Sequence, residues 1–370
     1  MSEHVYIRPI ALAASPQEHD GEAIRLGGSM AWASRFALIR RSNGTIVSRE
    51  LLGTGDTADA LARLPDVLAA EGEAQWAALR QVHAPLCCGE RTIRLDQAQV
   101  MGVLNVTPDS FSDGGKFKDD PKVAAVHAAL MLETGAAIID VGGESTRPGA
   151  AAVWEGDELK RVIPAIEKLA AMGAAISIDT RRPAVMEAAL AAGAHMINDV
   201  SSLRHDPRSI ELVARAAVPV VLMHAPGEGD DLHTNGDYAD VVLDVFDWLK
   251  DRRDAAIEAG IARENIVLDP GLGFGKSLAN NLALINALPL FHALGQPLLV
   301  GASRKRMIGA LSNEAPAHKR LGGSLLLAGR AMEAGAHLLR VHDVAETVQA
   351  SHVWRSLRDA ALTDFSQLAG

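Results

Sequence analysis

The chain has 370 residues, 48% of them apolar, and a formal net charge of −10. This length can bury more than a single barrel of about 250 residues, and the acidic balance argues against a nucleic-acid-binding surface as the main function. The only cysteines, Cys87 and Cys88, are adjacent. Adjacent cysteines rarely form an unstrained disulfide, so a reducing compartment is favoured. The N-terminus does not resemble a signal peptide, and no apolar run approaches the ~20 residues of a membrane span. We therefore predict a cytoplasmic protein that does not cross a membrane.

Residues 1–88 have a pattern of their own, for which we predict a small α+β extension. Asn43-Gly44 is a strong signal for a hairpin turn between two strands. The predicted strands lie over 5–12, 31–40 and 45–52, and a helix is predicted over 57–82. We find no candidate site in this part, which is either a structural extension or a surface for a partner or regulator.

A short strand or hairpin over 89–95 leads into a repeating unit that begins at residue 101. In this unit a helix ends at a Gly that can adopt the left-handed conformation, and a continuous apolar strand follows. Continuous apolar runs are typical of parallel strands that are buried on both faces. The strands begin near residues 102, 137, 175, 195, 219, 265, 297 and 337. The helices follow at 121–134, 155–171, 183–192, 207–216, 238–259, 279–288, 304–333 and 343–359.

Eight such units predict an α/β fold in which residues 89–370 form a (β/α)8 TIM barrel. A doubly wound open sheet is the alternative, but no Gly-rich dinucleotide loop follows the first strand. Active sites of barrels lie at the C-terminal ends of the strands. The residues at those ends are Asn105, Asp140, Asp179, Asn198 with Asp199, Met223 with His224, Asp269, Ser303 with Lys305, and Arg340 with His342. Solvation alone does not explain a polar residue at the end of every strand.

Asp179, Asn198 and Asp269 are short acceptors at the ends of apolar runs. Buried carboxylates need partners, and a planar heterocycle with amino and ring N–H groups would supply them. The alternative for each aspartate is a cap on the helix that follows. The segment over 270–277, PGLGFGKS, nearly matches a P-loop, but Pro270 stands where the pattern requires Gly. We interpret it as a glycine-rich loop that lets backbone approach a flat ligand.

Several basic residues follow predicted strands and could bind an anion. Ser303 is predicted to cap the helix that begins at Arg304, and such an N-terminus favours a carboxylate or a phosphate. Arg340 and His342 face the same way on a strand and could clamp a diphosphate. The alternatives are an ordinary surface helix and a structural Arg–Asp pair. Arg147 lies in a loop that is either a second anion-binding site or a surface turn.

The metal-binding signals are weak. The sequence has no HExxH motif and no zinc spacing of Cys and His, so we do not expect a transition-metal site. A Mg²⁺ ion that bridges phosphates needs only one or two protein oxygens. The neutral amide of Asn105, at the end of the first barrel strand, could supply one of them.

Seven segments together resemble the dihydropteroate synthases, a pterin-binding family of TIM barrels. They are NVTPDSFSDGG (105–115), DVGGESTRPGA (140–150), SIDT (177–180), INDVS (197–201), LDPGLGFGK (268–276), GASRK (301–305) and RVHD (340–343). The resemblance covers roughly residues 89–360. It implies that the amine of 4-aminobenzoate attacks the methylene of a dihydropterin diphosphate. Pyrophosphate then leaves, by way of a stabilised pterin-methyl cation, and 7,8-dihydropteroate forms for folate biosynthesis.

The resemblance also implies roles for individual residues. The catalytic residues would be Asn105 as the Mg²⁺ ligand, Lys305, Arg340 and His342. The residues that bind the pterin would be Asp179, Asn198, Met223, Asp269, Phe274, Lys305 and Arg340. The residues around 4-aminobenzoate and in the loop that orders over the substrates would be Phe111, Thr146, Arg147, Pro148 and Ser303. Sulfonamides would inhibit, and the protein would be a homodimer.

Two other functions fit parts of the same pattern. A methyltransferase of this barrel family that uses methyltetrahydrofolate has no diphosphate leaving group, so it would not need the basic residues near Ser303 and Arg340. A non-catalytic paralogue that only binds pterins should have lost Asn105, Lys305 or Arg340, and all three are present.

Overall fold

The structure is a computed structural model that describes residues 3–13, 22–106, 121–145, 153–227, 229 and 231–362. Its first elements are β1 (Glu3–Leu12), β2 (Ile24–Arg25), β3 (Trp32–Ser42), β4 (Thr45–Gly53), α1 (Thr57–Ala62) and α2 (Asp66–Leu79). Antiparallel pairing places β3 between β1 and β4. Asn43 and Gly44 both have positive φ, at 47° and 79°, as the tightest hairpin turns require, so the predicted hairpin is confirmed.

The single helix predicted over 57–82 is wrong, because the structure divides it into α1 and α2. Pro65 has an extended ψ of 146° and occupies the N-cap position of α2. Proline lacks the N–H that a continuous helix needs, and it forces the preceding residue out of helical conformation. Gln75 then ties α2 to β1, since its amide donates to the Val5 carbonyl at 2.6 Å and accepts from the Ile7 N–H at 2.9 Å.

The barrel follows a two-stranded hairpin, β5 (Leu86–Cys88) and β6 (Arg91–Ile93). Its strands are β7 (Gln99–Asn105), β8 (Ile138–Gly142), β9 (Ile176–Asp179), β10 (Met196–Asp199), β11 (Val220–Met223), β12 (Ile266–Asp269), β13 (Leu299–Val300) and β14 (Leu338–Val341). All pair in parallel in the order β12-β11-β10-β9-β8-β7-β14-β13, and a parallel bridge from Leu268 to Leu298 closes the ring. The predicted TIM barrel is therefore confirmed.

Nine helices of the described chain follow the barrel strands. They are α3 (Pro121–Glu133), α4 (Glu155–Ala171), α5 (Pro183–Ala191), α6 (Arg208–Ala216), α7 (Val241–Glu258), α8 (Leu278–Ala287), α9 (Arg306–Ala310), α10 (Leu321–Glu333) and α11 (Val344–Leu362). The continuous helix predicted over 304–333 is wrong. Asn313 and Glu314 adopt left-handed conformations and Pro316 follows them, so the chain leaves the helix and restarts it at Leu321.

The lower interior of the barrel is apolar. The β5–β6 hairpin packs against a layer to which each strand segment contributes one residue: Met101, Ile138, Ala175, Met196, Val221, Val267, Leu299 and Leu338. Alternate residues of a strand share a face. The residues two and four positions after each residue of this layer therefore also point into the barrel. This alternation directs the polar strand ends into the upper interior, which we call the mouth.

The extension packs against the outside of the barrel. The Tyr6 ring meets Phe246 of α7 edge-on at 5.5 Å, and its hydroxyl donates to Asp247 Oδ2 at 2.8 Å. The guanidinium of Arg41 pairs with Asp244 on the same helix. Apolar side chains of the extension and of the barrel helices form one continuous core. Among the described helices, none combines the length and apolar character that a membrane span needs.

Candidate active site

Arg340 occupies the centre of the mouth. From β14 its side chain crosses the interior to β8 and β9, where Nε donates to Asp140 Oδ2 at 2.6 Å and Nη2 donates to Asp179 Oδ2 at 2.5 Å. Asn198 donates from Nδ2 to the same Asp140 oxygen at 3.0 Å. The Arg–Asp pair considered as an alternative is thus present. Nη1 of Arg340 nevertheless has no partner in the described residues, so it can still donate to a ligand.

The charges of this group depend on one another. Burial raises the pKa of Asp179 to about 7, against the opposing effect of the Arg340 charge. Burial alone would lower the pKa of Arg340, but the carboxylates of Asp140 and Asp179 outweigh it and raise that pKa. The Oδ1 atom of Asp140 is buried and has no hydrogen-bond partner within the described chain. A buried acceptor without a donor is costly, which is typical of a site that a ligand completes.

Asp269 and Lys305 lie across the mouth from Asp179. Asp269 Oδ1 accepts the Gly271 N–H at 2.7 Å. A Cβ added to Gly301 would lie 3.9 Å from Asp269 Oδ2 and 3.8 Å from the Arg340 Cβ. Gly301 therefore lies between the two side chains without a Cβ of its own, and we call this part of the mouth the glycine floor.

The two charges on this side also influence each other. Burial raises the pKa of Asp269, although the Gly271 N–H and the Lys305 charge lower it. Burial likewise lowers the pKa of Lys305 to about 8, while the Asp269 charge raises it. The Lys305 ammonium lies 4.4 Å from the centre of the Phe274 ring, where a cation is attracted to the aromatic face.

An apolar wall borders these polar groups. Met223 and Phe274 are buried in a small cluster with Val200, Ala225 and Leu232. The ring of His233 stacks on Phe274 with a centroid distance of 4.9 Å and an interplanar angle of 10°. The predicted apolar residues therefore meet beside the predicted hydrogen-bonding ones.

Lys276 holds the glycine-rich loop in place. Its ammonium donates to the carbonyls of His224, Gly271 and Phe274 at 3.2, 2.8 and 3.0 Å. The side chain is deeply buried, and burial lowers its pKa to about 7. In a P-loop this lysine would reach phosphates, whereas here its donors are committed to backbone. The arrangement supports the interpretation of a loop shaped around a flat ligand.

Neither Asp179 nor Asp269 caps a helix. The N-cap position of α5 is Arg182, with no side-chain cap, and Asp179 bonds Arg340 instead. Ser277 caps α8 by accepting the Asn280 N–H at 3.1 Å. The capping alternative is therefore excluded for Asp179 and Asp269.

The cap predicted for Ser303 is wrong. The helix that follows, α9, begins only at Arg306, and Lys305 occupies its N-cap position. Arg304 has a left-handed φ of 57°, which turns the chain before the helix starts. Ser303 Oγ instead accepts the His342 N–H at 3.2 Å and lies 3.2 Å from Nδ1 of the same residue. Ser303 and His342 thus form one polar pair at the mouth.

An ion cluster anchors the chain on both sides of residues 146–152. Glu144 pairs with Arg182 at 3.0 Å and accepts the Val153 N–H at 3.1 Å. Arg182 also pairs with the buried Glu158 and donates to the Val153 carbonyl at 2.8 Å. The sequence pattern did not single out this cluster. The predicted site residues Phe111, Thr146, Arg147 and Pro148 lie outside the described residues.

Asn105 ends β7 beside the charged group. A Cβ added to Gly142 would lie 3.6 Å from Asn105 Oδ1 and 3.7 Å from Asp179 Oδ2, so the two side chains flank the same glycine. The described residues contain no group of three His, Cys, Asp or Glu side chains that could hold a metal ion. The Asn105 amide makes no hydrogen bond to the described chain. An amide oxygen in this position could supply one ligand to a Mg²⁺ ion.

The sequence pattern also understated the role of Asp140. The sequence predicts Asp140 as the end of a strand but does not indicate it as a site residue. The signal that could have found it is its inward position two residues after Ile138, in phase with the other strand ends.

Comparison with known proteins agrees with this geometry. The model of the pterin binding enzyme family matches residues 101–342. Dihydropteroate synthase of Escherichia coli strain K12 is 48% identical over 264 residues, which cover 71% of this chain and 92% of that protein.

The solved structures that resemble this chain are dihydropteroate synthases as well. A structure of dihydropteroate synthase from Xanthomonas albilineans with 4-aminobenzoic acid has a TM-score of 0.70 and 48% identity, covering 75% of this chain and 99% of that chain. A second, with 7,8-dihydropteroate, has a TM-score of 0.68 and 46% identity, covering 74% and 98%. The Yersinia pestis enzyme in a sulfonamide drug complex has a TM-score of 0.70 and 44% identity, covering 74% and 99%. The chain therefore belongs to the dihydropteroate synthase family of pterin-binding enzymes.

Proposed function

We propose that the protein condenses 4-aminobenzoate with (7,8-dihydropterin-6-yl)methyl diphosphate. A C–N bond forms between the arylamine and the pterin methylene, the C–O bond to the diphosphate breaks, and 7,8-dihydropteroate, pyrophosphate and a proton are released. The observation that carries the proposal is the mouth itself, where Arg340 joins Asp140 and Asp179 opposite the Asp269–Lys305 pair. The family relationship supports the same reaction.

Pterin binding is assigned to the groups around the glycine floor. A pterin presents amino and ring N–H donors along one edge, and the free Oδ2 of Asp269 faces the space in which that edge would lie. Asn198 and Asp179 would complete the acceptors, and the Lys305 ammonium would donate to the pterin carbonyl. Met223 and Phe274 would contact the ring from their apolar cluster, and Arg340 would pack on its face.

The leaving diphosphate needs positive charge at the other end of the ligand. We assign Nη1 of Arg340 and the ring of His342 to this task, because both residues face the mouth from β14 and the residue that follows it. Asn105 would hold a Mg²⁺ ion, which, when bound, neutralises charge on the leaving group. An arylamine is already nucleophilic, so its proton can pass to water and no described side chain is assigned as a general base.

The aminobenzoate site is assigned to Ser303, whose hydroxyl is held beside His342, together with Phe111, Thr146, Arg147 and Pro148. The ion cluster around Glu144 and Arg182 would support the loop that carries three of these residues. Sulfonamides, which share the aryl amine and an anionic group with 4-aminobenzoate, are then expected to compete for this pocket.

We further propose the organisation in which the enzyme works. Residues 89–370 would be the catalytic barrel and residues 1–88 an N-terminal unit that stabilises its outer surface. The protein would act in the cytoplasm as a homodimer that contacts no nucleic acid or membrane. Both cysteines, Cys87 and Cys88, are free thiols, which fits a reducing compartment.

The direct test is release of pyrophosphate from the dihydropterin diphosphate by purified protein with Mg²⁺, in the presence and absence of 4-aminobenzoate. Release that depends on 4-aminobenzoate and is blocked by a sulfonamide is expected. Absence of release, with pterin still bound, would instead indicate the non-catalytic pterin-binding paralogue. Transfer of a methyl group from methyltetrahydrofolate would indicate the methyltransferase.

A further inference from the structure

A cavity of about 480 Å³ lies where the N-terminal extension meets the outside of the barrel. Its walls come from β1, β3 and β4 on one side and from α8, α10 and the turn around Pro289 on the other. A second cavity of about 340 Å³ shares Arg8, Arg49 and Asn286 with it. None of the lining residues belongs to the mouth. The volume of the larger cavity is within the range of small-molecule sites.

The charged side chains that line the larger cavity are all arginines: Arg8, Arg49 and Arg330. Arg330 has a nearby counter-charge, Glu333, at 2.6 Å. The smaller cavity adds one carboxylate, Asp240, whose Oδ1 already accepts two N–H groups as the cap of α7. A concave group of arginines in a chain with a net charge of −10 creates a local potential that attracts anions.

Arg8 is the side chain that most needs a partner. Its Nη2 donates to the Asn286 carbonyl at 3.1 Å, but its Nε is buried without a hydrogen-bond partner in the described structure. Burial lowers the pKa of Arg8, and the nearby charge of Arg49 lowers it further, while the Asp240 carboxylate opposes both effects without outweighing them. An anionic oxygen would satisfy the buried N–H and offset the repulsion between the two guanidinium groups.

Apart from Asn286, the rest of the wall is apolar, and it is partly open to solvent. Leu51 is 66% exposed and Ile10 43% exposed, and Ile285 and Pro289 close the barrel side. Inorganic phosphate would leave these surfaces uncovered. We propose that the cavity binds a small amphipathic organic anion, with its carboxylate, sulfonate or phosphate group on Arg8 and Arg49 and its apolar body against Leu51 and Pro289. This proposal does not depend on the reaction at the mouth.

The test uses 8-anilino-1-naphthalenesulfonate, an aromatic sulfonate that fluoresces when bound, in titrations of the full-length protein. Arg8→Gln and Arg49→Gln should each weaken binding at least about tenfold, the order expected for a lost hydrogen bond to a charged group. Arg208→Gln is the matched control, since Arg208 is exposed, pairs with Asp206 just before α6, and lines neither cavity. It should leave binding unchanged.

A second pair of variants keeps the test decisive if Arg8→Gln does not fold. Leu51→Asp and Leu51→Lys remove the same exposed side chain and introduce opposite charges. The aspartate should abolish binding, and the lysine should retain it. Equal effects of the two Leu51 variants, or equal effects of Arg8→Gln and Arg208→Gln, would overturn the proposal. Loss of the fluorescence in Lys305→Ala would also overturn it, by locating the dye in the mouth.

Discussion

Two clusters of buried polar side chains lie at opposite ends of the barrel, and they differ in charge. The mouth holds Asp179, Asp269, Lys305 and Arg340, which form ion pairs or lie within reach of opposite charges. The other end, near the starts of β13 and β14, holds three histidine rings, of which His83 comes from the extension. His337 lies 5.0 Å from His83 and 5.5 Å from His292 between ring centres.

The three histidines are kept neutral. Backbone satisfies both ring nitrogens of His337, whereas His83 Nε2 and His292 Nδ1 have no hydrogen-bond partner within the described residues. His337 Nδ1 accepts the Leu298 N–H at 3.0 Å, so its Nε2–H can donate to the Gly27 carbonyl at 3.0 Å. Gly27 belongs to the extension, so this bond joins the two parts. Burial lowers the pKa of His292 to about 4 and that of His83 to about 3, and it lowers the pKa of His337 well below its usual value.

The difference separates a binding site from a packing interface. At the mouth the buried side chains carry charge, and one of their atoms, Asp140 Oδ1, has no hydrogen-bond partner in the described residues. Such an arrangement is costly for the protein alone and is completed by a charged ligand. At the histidine end, neutral rings pack between the extension and the barrel, and they need no ligand charge. The four predictions below change one cluster or interface at a time.

The largest effect is expected for Arg340→Met. It removes the only cation that bonds Asp140 and Asp179 directly in the described chain, and leaving buried carboxylates unpaired costs about 3–5 kcal/mol of unfolding free energy. Activity should be lost as well. Urea denaturation measures the cost, which should shrink at low pH as the carboxylates take up protons. Arg208→Met, at an exposed pair, should change stability by less than about 0.5 kcal/mol. An active Arg340→Met protein of wild-type stability would contradict the assigned role.

Lys305→Ala should affect turnover more than folding. Loss of the ammonium beside Asp269 should lower kcat/KM about 100-fold, since a charge-assisted contact to the substrate is worth about 3 kcal/mol. The circular dichroism spectrum should not change. The matched control is Arg306→Ala, at the next residue, where the side chain is exposed and pairs with Glu314. Kinetics like those of the wild type in Lys305→Ala would remove the residue from the site.

The histidine cluster should make the fold sensitive to acid. Because the pKa of each ring is lower in the folded state than its ordinary value of about 6.5, the unfolded chain binds more protons below that pH. The stability that these three rings contribute is therefore fully present above about pH 6.5 and is lost as the pH is lowered toward 4. His83→Gln should flatten this slope by up to about 1.4 kcal/mol per pH unit in urea midpoints, whereas His318→Gln, at an exposed site, should not. Identical slopes for all three proteins would refute the explanation.

The smallest effect is expected at the extension itself. Tyr6→Phe removes the hydrogen bond to Asp247 at 2.8 Å and should cost about 1 kcal/mol of stability, with no change in turnover. Tyr238→Phe should cost less, because that hydroxyl reaches only the Gly275 carbonyl at 3.5 Å. Changed turnover in Tyr6→Phe would show that the packing of the extension influences the mouth.

Much of the fold could be predicted because its signals are local. A glycine at the end of a helix followed by an apolar run marks β8, β9, β10 and β14, and continuous apolar runs mark the other barrel strands. The two helix predictions that are wrong, over 57–82 and 304–333, also have local causes. Pro65 was visible in the sequence, whereas the left-handed turn at Asn313 and Glu314 uses residues that give only a weak turn signal.

The site was less accessible to sequence reasoning because its bonds are long-range. The strand-end pattern predicts several of the side chains that the structure brings together at the mouth, but nothing local shows that Arg340 reaches Asp140, 200 residues earlier. The joining of the extension to α7 has the same origin, since Tyr6 and Asp247 are 241 residues apart. Ser303 was assigned to a helix cap because local spacing cannot show that His342 lies beside it.

Calorimetric binding of the dihydropterin diphosphate to the wild type and to Asp269→Asn is the most direct test of the mouth as the pterin site. The substitution preserves shape but removes the charge that we assign to the pterin edge. Binding should weaken by about 2–4 kcal/mol, as expected when a buried charge-assisted hydrogen bond is lost. Equal affinity of the two proteins would contradict the claim that the charged mouth is the pterin site.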